Sequence, residues 1–184
     1  NMIRVPDSKL KPAERVALIA IRTYARLIRD AVAQSGYYSC DTVLANRQIQ
    51  AGEAAAAHAW TDGNSYIALR RETLALANQG YPGFYTLASI LVHEYLHGDA
   101  STDTHSHDQS FYEGFESVTT DAQSALRVGR FVQNATARYL RLMHEKKLPL
   151  TAALRGSLDV EGDADDLDLP QADLIQDDAL RAAA

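Results

Sequence analysis

The chain has 184 residues, 46% of them apolar, a formal net charge of -6 and one cysteine. That length suits one domain with a tail, and the apolar share is enough to bury a core. The absence of any run of about 18 apolar residues excludes a transmembrane helix, the negative charge argues against a large nucleic-acid footprint, and the lone Cys40 excludes an intramolecular disulfide framework and fits a reducing cytoplasm.

The N-terminus lacks the charged-then-apolar layout of a signal peptide, and the Asn1-Met2 start leaves room for a tag remnant or a cut from a longer protein. Residues 12–33 read as a helix opened by Pro12, a residue tolerated in the first turn. Val16, Ile19, Ala20, Tyr24, Leu27, Ile28 and Ala31 recur at helical spacing, with Arg15, Arg22, Arg26 and Arg29 on the other side as a solvated face. Residues 37–44 read as a short strand and 46–52 as a connection. Residues 54–60 and 65–69 flank Thr61-Asp62-Gly63-Asn64, and Asp-Gly between two such runs signals a hairpin. His58, on the first arm, reads as an ordinary surface or packed histidine.

Residues 71–78 read as a short helical segment ended by Gly80, and Tyr81-Pro82-Gly83 as a turn. A helix follows over 84–97, with Gly98 placed to stop it and Leu87, Ala88, Leu91 and Leu96 giving it a buried side. After a polar loop, a helix starts near His107 or Asp108 with Phe111, Tyr112, Phe115, Val118 and Thr119 as its stripe. Past Gly129, residues 131–147 form another helix with Val132, Ala135, Tyr139, Leu142 and Met143 facing inward, closed by Leu148-Pro149. From Gly156 the composition turns acidic, with Asp159, Glu161, Asp163, Asp165, Asp166 and Asp168 leading the run. Such a segment cannot bury enough apolar surface to offset its ordering entropy. The chain therefore divides into a domain over 1–155 and an acidic tail, or linker to a further domain or partner protein, over 156–184.

The chemistry sits in His93-Glu94-Tyr95-Leu96-His97, an HExxH run. Residues four apart on a helix share a face, so two imidazoles can take one metal ion while Glu94, one position on, reaches its water. Catalytic zinc usually keeps three protein ligands and one open position. Asp103, His105, His107, Asp108, Glu113 and Glu116 are all near enough in sequence to supply the third.

With His107-Asp108-Gln109-Ser110-Phe111-Tyr112 following after a short loop, the run resembles the SprT/Spartan-like metallopeptidases. The resemblance covers roughly 54–118 and is specific only in the HExxH run and His107. It implies that His107 is the third zinc ligand, with His105 the main rival, and that Phe111 and Tyr112 pack their helix against the active-site helix. In many zincins the hairpin ahead of the HExxH helix carries an edge strand that pairs with extended substrate. Here that strand is Ser65, Tyr66, Ile67, Ala68 and Leu69. Zinc-ribbon cysteines are missing, so DNA-linked function does not carry over, and Ala100 and Asp103 stand where the Met-turn zincins have Gly and His.

The expectation is an α+β, mainly helical zincin-like domain with a small β-sheet or hairpin ahead of the HExxH helix. It is a zinc metalloendopeptidase acting on a peptide or protein substrate, away from membranes. Zn2+ held by His93, His97 and His107 lowers the pKa of its water, Glu94 is the general base, and His105, Tyr112 or Tyr139 supplies the oxyanion or a supporting hydrogen bond. The alternative from another class is a catalytically silent or regulated zinc-binding module of a larger protein.

Overall fold

Helix α1 (Pro12–Gln34) is the element against which the others pack. The computed structural model describes residues 2–35, 47–97, 107 and 109–160. The strand expected at 37–44, the loop histidine His105 and the acidic tail beyond 160 lie outside the described residues.

Pro12 opens α1, and the Glu14 carboxylate accepts the Lys11 backbone N–H at 2.8 Å, which satisfies one of the donors left over at a helix start. The buried set of α1 includes Ala17, Leu18, Ile21, Ala25 and Val32, so it is wider than the single expected stripe. The reason is that α1 is covered on more than one side: by α3 (Tyr81–Leu96), by α5 (Ala122–Glu145) and by strand β2 (Gln48–Glu53). Arg15, Arg22 and Arg26 are exposed, as a solvated face requires, and Arg29 is half-buried; their partners are local. Arg15 donates to the carbonyls of Asp7 and Leu10 at 3.2 and 3.3 Å, Arg22 pairs with Asp7 and donates to the Ile49 carbonyl at 2.7 Å, and Arg29 pairs with Asp30 at 2.6 Å.

The fold is α+β and mainly helical, with one mixed sheet of four strands in the order β1-β2-β4-β3. Strand β1 is Ile3–Val5, β3 is Ala59–Thr61 and β4 is Tyr66–Arg70. Strand β2 corrects the expected connection at 46–52: it runs parallel to β4 with Ile49 opposite Ile67 and Ala51 opposite Leu69. The segment Gln-Ile-Gln-Ala-Gly-Glu has a weak intrinsic strand preference, and burial of Ile49 and Ala51 on one face overrides it.

The hairpin forms, with a shorter first arm than expected. Its turn is anchored by the Asp62 carboxylate, which accepts the backbone N–H groups of Asn64, Ser65 and Tyr66 at 3.0, 2.7 and 3.1 Å and the Ser65 hydroxyl. Burial raises the Asp62 pKa, but these hydrogen bonds together outweigh it and bring the value down to about 2. Ser65 therefore belongs to the turn, one residue short of β4.

After α2 (Arg71–Leu74) and a 3-10 stretch over Ala75–Gln79, Gly80 turns the chain at φ 67°. Tyr81-Pro82-Gly83 is the first turn of α3 rather than a separate turn, with proline where its missing N–H has no helical partner to lose. Gly83 lies against the preceding segment: a Cβ there would sit 1.8 Å from the Leu76 carbonyl oxygen. Because backbone cannot yield as a flexible side chain can, Gly83→Ala is expected to destabilise the domain by about 1–3 kcal/mol. A thermal melt measures this, and an unchanged midpoint would show that α3 can shift on its support.

Helix α4 (Gln109–Thr120) leads through the Asp121 cap into α5, where the carboxylate accepts the Ser124 N–H at 2.8 Å. The Ser124 hydroxyl donates to the Ala31 carbonyl of α1 at 2.8 Å, a buried link between the two long helices. Helix α5 runs straight through Gly129, which was expected to precede the helix. A mid-helix glycine costs only about 1 kcal/mol, and burial of Phe131, Ala135 and Tyr139 just beyond it more than offsets that. Helix α6 (Ala152–Val160) buries Leu154 and continues past Gly156, where the composition changes. Among the described residues no helix is long and apolar enough to cross a membrane.

Candidate metal centre

The helical ladder of α3 ends at Leu96, so the two histidines of the HExxH run are placed by different means. His93 lies in the last turn. His97 is the first residue past it, with extended backbone at φ -69° and ψ 118°. His107 lies two positions ahead of the first residue of α4, Gln109.

These elements bring three imidazoles to one point. His93 Nε2 lies 3.2 Å from the Nε2 atoms of both His97 and His107. All three ligand atoms fall within 4.8 Å of one another. Two nitrogens bound at ~2.0–2.1 Å to one tetrahedral zinc would stand ~3.3–3.4 Å apart. A neutral ring nitrogen either carries a proton or offers a lone pair, never both. His93 Nε2 therefore cannot donate to one neighbour while accepting from the other. A cation between the rings satisfies all three lone pairs, so the residues present fit a divalent metal ion. Burial lowers the His93 pKa and the charge of His107 lowers it further, which favours the neutral form that ligates metals.

Phe111, from the first turn of α4, supports the cluster. Its ring centroid is 4.9, 5.0 and 4.5 Å from those of His93, His97 and His107. It is buried and packs α4 against the end of α3, as the resemblance implies. Tyr112 does not share that role: it is 61% exposed, with its ring 5.9 Å from that of Phe111 and 6.3 Å from that of His107, at the edge of the cluster.

Glu94 is buried and does not join the ligand group. Burial pushes its carboxyl up to about 7, against the opposing charge of Arg47. Glu113 and Glu116, the glutamate alternatives for third ligand, are exposed and outside the cluster, and Glu113 accepts a hydrogen bond from Gln109 at 2.7 Å. Asp103, His105 and Asp108 lie outside the described residues.

Two expectations are corrected. Tyr139 is a core residue: it is 1% exposed, packs on Phe84 near the far end of α3, and donates its hydroxyl to Asn78 Oδ1 at 2.8 Å. It has no route to an oxyanion beside the histidines. The substrate strand is also misassigned. β4, which holds Tyr66, Ile67, Ala68 and Leu69, lies between β2 and β3 and is paired on both sides, and Ser65 is in the turn. An added strand needs a sheet edge, and among the described strands β3 is the edge strand on this side of the sheet. The Arg70 N–H donates to the His58 carbonyl at 2.9 Å and Trp60 stands opposite Ala68. Antiparallel alternation therefore turns the backbone groups of Ala59 and Thr61 to the outer edge. His58 is exposed, as an ordinary surface histidine would be.

Arg47 is the residue that sequence reasoning missed. Its guanidinium is buried against the end of α3, where Nη1 donates to the Glu94 carbonyl at 2.7 Å and Nη2 to the His97 carbonyl at 2.6 Å. Nη2 also donates to the Gly63 carbonyl of the hairpin turn at 2.8 Å. A single arginine ahead of a weak strand carries no spacing signal.

The chain matches no family model, no curated protein and no solved structure.

Proposed function

We propose that this protein is a zinc-dependent endopeptidase, with His93, His97 and His107 as the metal ligands and Glu94 as the general base. The observation that carries the reading is the convergence of three imidazoles, with His93 Nε2 3.2 Å from the Nε2 atoms of His97 and His107 and all three ligand atoms within 4.8 Å, and a buried carboxyl next in sequence to the first of them. Three imidazoles without a carboxylate suit a borderline-soft ion, and zinc is the usual one in such a set. The HExxH run with its downstream histidine, as in the SprT/Spartan-like metallopeptidases, points the same way.

An ion in this position supplies a Lewis acid for the scissile carbonyl and for the attacking water. The rest falls to side chains of this chain. Glu94 accepts the proton of the attacking water and returns it to the leaving amine, a task for which a carboxyl poised near neutrality is suited. A neighbouring cation would draw its pKa below the value that burial alone sets, so the base is ionised at neutral pH. Phe111 packs against all three imidazoles, edge-on to His93 and tilted against His97 and His107, and shields one side of the site from water. An extended peptide lies along the outer edge of β3, held by the backbone of Ala59 and Thr61. Of the hydrogen-bond donors considered for the oxyanion, Tyr112 stands at the rim beside His107. A cytoplasmic location belongs to the same proposal and rests on the single Cys40.

The test is a peptide-library digest with protein purified without a histidine tag. Cleavage that a chelator abolishes and added zinc restores is the expected result. Retained zinc with no cleavage across the library would replace this reading by that of a silent zinc-binding module.

A further inference from the structure

We infer that Arg47 is the positioning residue of the metal centre: by gripping the carbonyls on either side of the end of α3, it sets where His97 sits and so how tightly the triad holds a divalent ion. This rests on the reading of His93, His97 and His107 as metal ligands. Three observations lead to it, and all concern backbone carbonyls and the Arg47 side chain rather than ring nitrogens.

The first is where the helix stops. The ladder of α3 ends at Leu96, and His97 is extended. The carbonyls of a last helical turn have no partner within the helix and must find one elsewhere. Here both the Glu94 carbonyl, inside the turn, and the His97 carbonyl, outside it, accept from the same guanidinium, at 2.7 and 2.6 Å. The angle at which the chain leaves α3 is thereby fixed on both sides of the bend. The second ligand of the HExxH run lies at that bend.

The second is the shape of the donor. Nη1 faces Glu94 and, at a longer 3.4 Å, Tyr95, while Nη2 faces His97 and Gly63. A planar fork can address these carbonyls from two nitrogens at once, whereas a lysine ammonium offers one nitrogen on a flexible stem. The guanidinium also lies within 5.8 Å of the centre of the Tyr95 ring, which limits its tilt.

The third is the cost of placing it there. Arg47 is 6% exposed, and a buried cation is kept only where its surroundings compensate for lost hydration. The negative end of the helix dipole and its carbonyls do so. The same contact ties the α3 terminus to the Gly63 turn and, through residue 47 itself, to the start of β2, so sheet and ligand helix share one clamp. Partners that orient a ligand in this way, without touching the ion, typically carry about 10–100-fold in metal affinity.

The test uses R47K and R47M in the full chain. Circular dichroism and the melting temperature of the metal-free protein report the fold. Competition with a chromogenic chelator gives the zinc dissociation constant, and the visible absorption of the cobalt-substituted protein reports ligand geometry. Both variants are expected to weaken zinc binding, R47K by about 10-fold and R47M by about 100-fold, with a weaker, shifted cobalt band. R47K, which keeps the buried charge, carries the test if R47M fails to fold. Wild-type zinc affinity and an unchanged cobalt spectrum in folded R47K would overturn the proposal even if its melting temperature fell, since Arg47 would then be a structural clamp only. If the wild-type protein itself binds neither zinc nor cobalt, the ligand reading fails first and this proposal falls with it.

Discussion

Substitution of Glu94 by glutamine is expected to leave the fold and the bound zinc in place and to reduce peptide cleavage by about 10²-fold or more, the usual scale for a removed general base. Glutamine has nearly the same shape as glutamate but accepts no proton at neutral pH. The backbone contact of residue 94 survives the change, because Arg47 takes its carbonyl and not its carboxylate. The side chain is 6% exposed, and burial already disfavours its charged form, so a neutral amide adds no desolvation cost. Glu94 is also outside the group of converging nitrogens, so zinc content should not follow it. Activity assays on E94Q alongside elemental analysis separate the two roles. Full activity would mean that another group activates the water. Loss of zinc in proportion to activity would make Glu94 a ligand.

The second large effect is expected at His107. His107→Ala should lower zinc affinity by roughly 10²-fold or more, since structural zinc sites gain on the order of 10–16 kcal/mol from four ligands and one of the three present here would be gone. The fold should not change, because the His107 side chain is exposed. It joins the site from the start of α4, beyond the end of α3, so its loss leaves the HExxH pair in place and isolates the contribution of the third nitrogen. His105→Ala is the control and should retain zinc. Equilibrium dialysis or chelator competition on both variants reads the difference. The reverse pattern would transfer the ligand role to His105.

The grouping of the three histidines was legible because it depends on short-range geometry. The four-residue spacing of His93 and His97 keeps the two rings close even though the helix stops at Leu96 and His97 is extended, and the stretch from His97 to His107 is short enough to return the third ring just ahead of the next helix. What was not legible depends on pairing across the chain. Residues 65–69 were read as an edge strand, although Ile67, Ala68 and Leu69 are a continuous apolar run, the mark of a strand covered on both faces. That signal was available and favoured a central position. Strand β2 gave no comparable cue, since its identity as a strand comes from its parallel partner β4. Tyr139 was placed correctly on the inward face of its helix, and the same inward placement removes it from catalysis. Arg47 was invisible for a different reason: its role is set by carbonyls 16 to 50 residues away, and backbone acceptors leave no trace in a sequence.

The central claim is that the three converging imidazoles hold one zinc ion. The most direct measurement is the metal content of untagged protein, purified without chelator and analysed for first-row metals by mass spectrometry of the elements. One zinc per chain is the predicted result. A chain that carries no zinc, and takes up none on dialysis against it, would contradict the account at its base.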